Sequence, residues 1–577
     1  MKKYETSDGY HVYRIKKEKH YYFLADRRNY KKEIDRLSRT LEDLKFDSLI
    51  FIFGIDTGEY LQEIKNLVCE KNRVVIFEPN QAICKKYPSQ IAGHIRLVPF
   101  EEKRAKEIFT EMISFKNFNN VYFHAFGSYA EIYKKEYDRL VEHLDWTLIN
   151  AASQIDLAKR FKNIFIQNMI ANLNVLNRCT PIHHYRLTNL NVPALVVSGG
   201  PSLDGNIRDM VRYKDKLRNF FIITGSRTVE ALVKNGILPD MIVSVDPVDA
   251  NYEMMKNCLD LNVPLAFYEY SNRYLVRDYK GDKIFISLLF SQTIPGLQHL
   301  KGVYCGGSVA HACTDIASLL GCSPILFAGQ DLAHTFRKHH ADSAVFDYDK
   351  SLHYKTQITV KDVYGNQVET TVTLDHYRRK LEQYISLYKD QKRIRFINGS
   401  WGADIKGAPH KELSEVFEQQ KTCGEKKVCF PAHDISINSR ETVNYILAFI
   451  DESIIKADQG LELCHCIISE NHKKSLLEAD ETDLDLQRIL YILQIVNDFE
   501  NASASRYLGG YFNEFVFEMK EKIFCMYAKD YESLTSDLQH QARAFHIYFK
   551  NMKEMLEKVK ETALETVTEF YKQHIVN

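Results

Sequence analysis

The chain has 577 residues, too many for one hydrophobic core, and its 76 Lys and Arg balance 76 Asp and Glu. Zero formal charge leaves no global field to gather nucleic acid or anionic lipid, so neither is expected as a partner and any bound anion must be held by local groups. No run of about eighteen apolar residues occurs, and the opening MKKYETSDGYHVYRIKKEKHYYF has no secretory apolar stretch, so a cytoplasmic protein with its twelve scattered cysteines kept as thiols is expected.

From about Lys45 to Phe126, short β-branched and aromatic runs alternate with polar, helical stretches. Ser48–Gly54 (SLIFIFG) and Arg73–Glu78 (RVVIFE) read as buried strands of a parallel sheet, giving a Rossmann-like domain over 1–155. Within it, Phe53-Gly-Ile-Asp-Thr-Gly58 followed by Glu78 resembles a methyltransferase fingerprint, a Gly-rich first turn with an acidic ribose ligand. Ile55 and Thr57 leave only two glycines there, so a structural or acceptor-binding role is expected instead. Asp156–Arg178 has helical spacing and no glycine, and reads as a connector within 156–190.

A second αβ alternation fills 191–430, with strands expected near Ala194–Val197, Phe220–Thr224, Met241–Val245, Leu265–Tyr268, Lys283–Ser287, Pro324–Phe327 and Arg393–Ile397. Thr356–Leu374 alternates apolar and polar residues around Tyr364-Gly365-Asn366, the pattern of a hairpin inserted as a flap. After Pro431 no proline occurs, and 431–577 reads as an all-α domain broken at Gly509-Gly510. Its Cys464-His465-Cys466 triplet is a poor metal site, because residues at i and i+2 of a helix do not share a face.

Candidate chemistry gathers at the carboxyl ends of the central strands, where open α/β sheets bind ligands. Val196-Val-Ser-Gly-Gly-Pro-Ser-Leu-Asp204 is a strand stopping at Gly199 and Gly200, with Pro201 and Ser202 opening a helix whose N-terminal N–H groups suit a phosphate or carboxylate. A second strand ends at Thr224, Gly225 and Ser226, and a third at Asp246. Tyr304-Cys-Gly-Gly-Ser-Val309 opens another helix with Gly306, Gly307 and Ser308, and Leu326–Leu332 ends a strand at Gln330 and Asp331. Several polar-tipped strands in one sheet define a nucleotide crevice. Asp347-Tyr-Asp349 and Asp483-Leu-Asp485 match the metal-binding Asp-x-Asp pattern only by letter, so no metal is expected.

The series SGGPSLD, GILPDMIVSVDP, GGSVAHACTDIASLLG, ILFAGQDLAHT, HHA and INGSWGADIKG, in order over about Asn172–Gly407, resembles the central domain of the motility accessory factor glycosyltransferases. The resemblance implies a multidomain α/β chain: an N-terminal Rossmann-like domain, a central sialyltransferase-like (GT-A-variant) domain with a hairpin insertion, and a C-terminal helical domain that engages flagellin. It also implies transfer of a nonulosonic acid, such as a pseudaminic, legionaminic, Kdo-type or sialic acid, from a CMP donor to Ser or Thr of flagellin before export. Asn398 and Ser400 join the donor-site candidates through the INGS segment. In the family pattern a His-Ala pair follows the Gln-Asp-Leu-Ala segment, which makes His340 the candidate base, with Asp331 and Asp246 as second choices. Arg337-Lys-His-His340 replaces a usual Gly-containing turn, so His339 competes with His340. CMP leaves as a monophosphate that N–H dipoles, hydroxyls and a cationic side chain can stabilise without a metal, so no cofactor is expected.

Two other readings share the motifs. The central signature also resembles 6-hydroxymethylpterin pyrophosphokinase-like domains, which would use ATP and magnesium held around Asp240, Asp246 and Asp249. Alternatively, the chain is a flagellin-binding chaperone with a vestigial nucleotide site, its C-terminal helices laying an apolar face on flagellin.

Overall fold

The computed structural model describes residues 1–287, 297, 300–346, 357–392, 394–419, 426–427, 437–470, 475, 482–501 and 508–571. The chain divides into two compact units, Met1–Lys162 with Ile450–Lys558, and Asn163–Phe449 with Val559–Asn577. One helix of 43 residues, Lys134–Leu176, contributes to both. The stretch expected as a connector is therefore the second half of a longer helix, and no Gly or Pro from Lys134 to Leu176 interrupts it. The proline-free C-terminal region is helical in its described parts: Ser439–Ser469, Leu484–Asn501, Gly509–Lys522 and Leu538–Tyr571.

The first unit holds a five-stranded sheet in the order Gln90–Ala92, Ile95–Pro99, Arg73–Glu78, Leu49–Phe53, Val121–Ala125. Its ladders are parallel except at the Gln90–Ala92 edge. Leu49–Phe53 is buried at every position, as a central strand covered on both faces must be. Phe51 and Phe77 pack edge-on to Phe109 of the covering helix Glu102–Met112. The unit also holds an antiparallel sheet of Lys2–Glu5, His11–Lys17 and His20–Phe23 that the hydrophobic pattern did not reveal. Its outer strands, Lys-Lys-Tyr-Glu and His-Tyr-Tyr-Phe, are short and largely exposed, so they lack the apolar alternation that marks a half-buried strand.

The second unit is built on eight parallel strands. In space they run Phe396–Asn398, Ile325–Ala328, Ala194–Val197, Phe221–Gly225, Met241–Ser244, Leu265–Phe267, Lys283–Phe285, Thr180–Pro181. Seven lie where the αβ alternation put them; the eighth, Thr180–Pro181, is too short to carry a pattern. The flap is a hairpin, Gln357–Lys361 paired with Gln367–Thr371, and Gly365 supplies the left-handed residue of its turn at φ 88°. No helix of the described residues is long and apolar enough to cross a membrane.

Candidate active site

From Ala194–Val197 the chain lays strands successively to one side as far as Lys283–Phe285, then crosses to the other side with Ile325–Ala328. This reversal is a topological switch point, the place where open α/β sheets bind ligands, and two loops leave the strands that flank it. Those loops are Ser198–Ser202 and Gly329–Leu332. They are bound to each other: Gly200 N–H donates to the Gly329 carbonyl at 2.8 Å, Ser202 N–H to Asp331 Oδ2 at 2.9 Å and Ser202 Oγ–H to Asp331 Oδ1 at 2.5 Å. A Cβ on Gly200 would lie 2.5 Å from both Asp331 Oδ2 and the Gly329 carbonyl oxygen, so only glycine permits this approach.

The hydrogen bonds correct part of the sequence reading. Ser202 does not face outward: it is fully buried, and its hydroxyl accepts from Trp401 N–H while donating to Asp331. The anion at the N-terminus of helix Leu203–Arg212 is thus the Asp331 carboxylate itself. Asp331 is 1% exposed and both its oxygens accept hydrogen bonds, so it serves as a brace between loops rather than as a base; desolvation pushes its pKa up. Thr224 is spent likewise, donating to the Val197 carbonyl at 2.9 Å. Ser400 Oγ accepts from Gln330 N–H at 2.7 Å, and Asn398 Oδ1 accepts from Ser400 N–H at 2.9 Å, so the INGS segment props the Gln330 loop from below. These residues hold the loops at the carboxyl ends of the strands to one another.

A different set gathers around Gly199 and Gly225. Helix Ser226–Lys234 begins after Gly225 with no side-chain cap, and Ser226, 5% exposed, has a buried hydroxyl without a hydrogen-bond partner. An uncapped N-terminus with an unengaged hydroxyl is an anion cradle. Arg227 follows, its stem lying 2.9 Å from where a Gly199 Cβ would be and its guanidinium donating to the Ala344 carbonyl at 3.0 Å. Asp246 is open to solvent, yet protein surrounds it closely: desolvation raises its pKa and the Arg227 charge opposes the rise. His340 Nδ1 lies 3.2 Å from the Gly199 carbonyl, and Ala341 N–H donates to the same oxygen at 3.1 Å. A carbonyl only accepts, so Nδ1 carries a proton in this contact. Gly199, Ser226, Arg227, Asp246 and His340 thus form one cluster. The sequence reading gave Arg227 no role, although its place after Gly225-Ser226 in the first turn of a strand-following helix was a visible signal.

The segment leading to His340 departs from ordinary backbone. Leu332, Phe336 and Arg337 all adopt positive φ, at 52°, 56° and 60°, where a residue with a side chain is disfavoured by about 1–2 kcal/mol. The flap holds the start of this segment: His334 N–H donates to the Glu369 carbonyl at 2.8 Å, and Thr370 Oγ1 to the Leu332 carbonyl at 2.8 Å.

The Gly306-Gly307-Ser308 turn joins the same region, because a Cβ on Gly225 would lie 2.7 Å from Val309. Ser308 caps helix Val309–Leu319 in a capping box with His311, whose Nδ1 accepts from Ser308 N–H at 3.3 Å while Nε2 reaches the Tyr377 carbonyl at 3.0 Å. Burial lowers the His311 pKa to about 4, so it is a neutral imidazole. The metal grouping of the phosphotransferase reading does not form. Asp240 sits at the amino end of strand Met241–Ser244, paired with Lys426 at 2.9 Å and accepting from Ile222 N–H, while Asp246 lies past its carboxyl end. Four strand residues separate them, at about 3.3 Å each. Asp347-Tyr-Asp349 lies outside the described residues, and Asp483-Leu-Asp485 opens a helix.

In the first unit the fingerprint is filled by the protein. Gly54, at φ 98°, is covered by the Tyr129 ring where a Cβ would be. Glu78 is fully buried and accepts from Ile55 N–H at 3.0 Å, Asn80 N–H at 2.8 Å and the Tyr129 hydroxyl at 2.8 Å. The acid that would meet a ribose is thus saturated by the chain, and desolvation raises its pKa to about 7.

Strand order and crossover make the second unit a doubly wound α/β domain. Within it, residues 167–337 match the family model described as 6-hydroxymethylpterin diphosphokinase MptE-like, so this segment is an MptE-like domain. No curated protein matches the chain by sequence. The fold as a whole is that of the MAf glycosyltransferase from Magnetospirillum magneticum AMB-1, at 12% identity and a TM-score of 0.61, over 99% of this chain and 95% of that one. Both halves of the sequence resemblance, the MptE-like segment and the full-length architecture, are therefore found.

Proposed function

We propose that the protein is a glycosyltransferase that moves a nonulosonic acid from a CMP donor to Ser or Thr of flagellin, in the cytoplasm and without a metal. The observation that carries this reading is the likeness to the MAf glycosyltransferase over nearly all of both chains, flanking regions included. The switch-point cluster supplies chemistry to match. The donor phosphate sits on the uncapped helix at Ser226, with Arg227 balancing the charge that develops as CMP departs. His340 Nε2 takes the proton of the acceptor hydroxyl; the acceptor oxygen bonds to the anomeric carbon, and the bond from that carbon to the phosphate oxygen breaks, its electron pair leaving with CMP. Asp246 lies where it orders the acceptor or the base. The central domain is then sialyltransferase-like, and the helices after Ser439 receive flagellin.

The MptE-like match also supports a second reading, ATP-dependent phosphotransfer, against which the separation of Asp240 from Asp246 weighs. Calorimetric titration with CMP, and with ATP plus magnesium, separates the readings. CMP binding in EDTA supports the transferase and leads to a mass assay on flagellin with CMP-sugars. Binding of ATP–magnesium alone sinks it in favour of phosphotransfer, and silence from both leaves a flagellin chaperone.

A further inference from the structure

Zero net charge for the whole chain conceals a local excess. Residues 1–32 carry ten Lys or Arg against four Asp or Glu, together with seven Tyr or Phe. The antiparallel sheet of Lys2–Glu5, His11–Lys17 and His20–Phe23 sorts much of this excess onto one face. Residues opposite each other in a ladder share a face, as do alternate residues along a strand. Lys2 is opposite Arg14, Arg14 is opposite Phe23, and Lys16 is opposite Tyr21. These residues therefore share one face, and Tyr4 shares it with them. Glu5, the one acid in the three strands, lies opposite His11 on the other face.

On this face the cations lie against rings rather than acids. The Arg14 guanidinium is 4.6 Å from the centre of the Tyr21 ring and 5.6 Å from that of Phe23, and the Lys16 ammonium is 5.9 Å from Tyr21. Arg27, just past the last strand, lies 5.7 Å from the Tyr4 ring and 5.5 Å from Phe23. Among the described residues no acid pairs with Lys2, Arg14, Lys16 or Arg27. Lys17 on the opposite face, by contrast, pairs with Glu136 at 3.7 Å and donates to the Ile132 carbonyl at 2.7 Å. Lys2, Lys16 and Arg27 are exposed, and Tyr21 is 60% exposed. A cation held over a ring keeps its N–H donors for a carboxylate while losing part of its freedom to move.

The backbone says what kind of molecule brings the carboxylates. The sheet has three strands, so among the described residues no strand pairs with the outer side of Lys2–Glu5 or of His20–Phe23. An open edge takes a further strand from a polypeptide, whereas nucleic acid and lipid have no backbone amides to add. We propose that this face binds an extended acidic segment of a protein partner, which pairs with an open edge of the sheet and turns carboxylates at alternate positions toward Arg14, Lys16 and Arg27. A strand presents every second side chain on one side, so acids at alternate positions form a single row. The surface lies in the first unit and does not depend on the transferase reading.

The test is fluorescence anisotropy of a labelled peptide of alternating Glu and Thr titrated with the full chain. Peptides of alternating Gln and Thr and of alternating Glu and Pro, an oligothymidylate and phosphatidylglycerol vesicles are run beside it. The Glu-Thr peptide should bind. The Gln-Thr peptide, without charge, and the Glu-Pro peptide, charged but unable to extend a sheet, should each bind more weakly by about tenfold or more. Arg14→Gln combined with Lys16→Gln should weaken the Glu-Thr peptide about fivefold to thirtyfold, as loss of two exposed charge pairs does. Lys103→Gln, an exposed lysine of helix Glu102–Met112, should leave it unchanged. No binding of the Glu-Thr peptide overturns the proposal, as does equal binding of the neutral or the proline peptide, or affinity that survives the double variant. Oligothymidylate or vesicles binding more tightly than the peptide, and losing affinity in the double variant, also overturn it and reassign the face to nucleic acid or to lipid. If melting curves show the double variant unfolding early, Lys16→Glu, a change at an exposed side chain, decides by the same criterion.

Discussion

Asp56 is where the structure makes its sharpest prediction about stability. It is fully buried at φ 49°, Oδ1 accepts from Tyr13 N–H at 2.9 Å, and Oδ2 has no hydrogen-bond partner. Desolvation, reinforced by nearby Glu78, raises its pKa to about 7 from 3.8. A carboxyl raised on folding takes up a proton as the chain folds between those values, so wild-type stability falls as pH climbs from about 4 to 7 and is level above. Asp56→Asn keeps the acceptor for Tyr13, places an amide where Oδ2 stood, and suits a left-handed residue. Three pKa units at about 1.4 kcal/mol each bound the gain near 4 kcal/mol; coupling to Glu78 reduces it to roughly 2–4 kcal/mol above pH 7. The variant and wild type should converge near pH 4. Of the two tryptophans, Trp146 lies in the first unit and Trp401 in the second. Urea unfolding followed by Trp146 fluorescence, in a Trp401→Phe background at pH 5 and pH 8, therefore reads this unit. A variant no more stable than wild type at pH 8, or a gap equal at both pH values, refutes the buried-charge argument.

The remaining predictions concern the candidate site. His340→Ala should bind CMP within a few-fold of wild type and lose transfer by about a hundredfold or more, as removal of a general base does; undiminished transfer to flagellin removes it from that role. Asp331→Ala should lower stability by about 2–5 kcal/mol in denaturant titrations, because buried Ser202 N–H and Oγ lose their acceptor, and an unchanged midpoint would mean the brace carries no energy. Gly200→Ala should force the Ser198–Ser202 turn off Gly329 and Asp331, costing over tenfold in CMP affinity by calorimetry; wild-type affinity would show that the two loops need not touch. Arg227→Met should weaken CMP more than tenfold with cytidine binding unchanged, and equal losses on both would place Arg227 away from the phosphate.

Much of this molecule was legible before any coordinates. Strands such as Leu49–Phe53 and Ala194–Val197 follow from their buried runs, because a strand covered on both faces needs apolar residues throughout. The hairpin was legible from the alternation around Gly365, and the helical C-terminal region from its spacing and lack of proline. The exposed, charged N-terminal sheet was not, since partial burial leaves little pattern to read.

The site divides along a similar line. Sequence placed polar residues at the carboxyl ends of the central strands, because a strand's end and the loop that follows are local facts. It could not tell which of them face a ligand and which face each other, since that depends on pairs such as Ser202 and Asp331, 129 positions apart. Local sequence thus set the strands, the turns and the stock of functional groups. The tertiary hydrogen bonds decided which of those groups were consumed in holding the loops together.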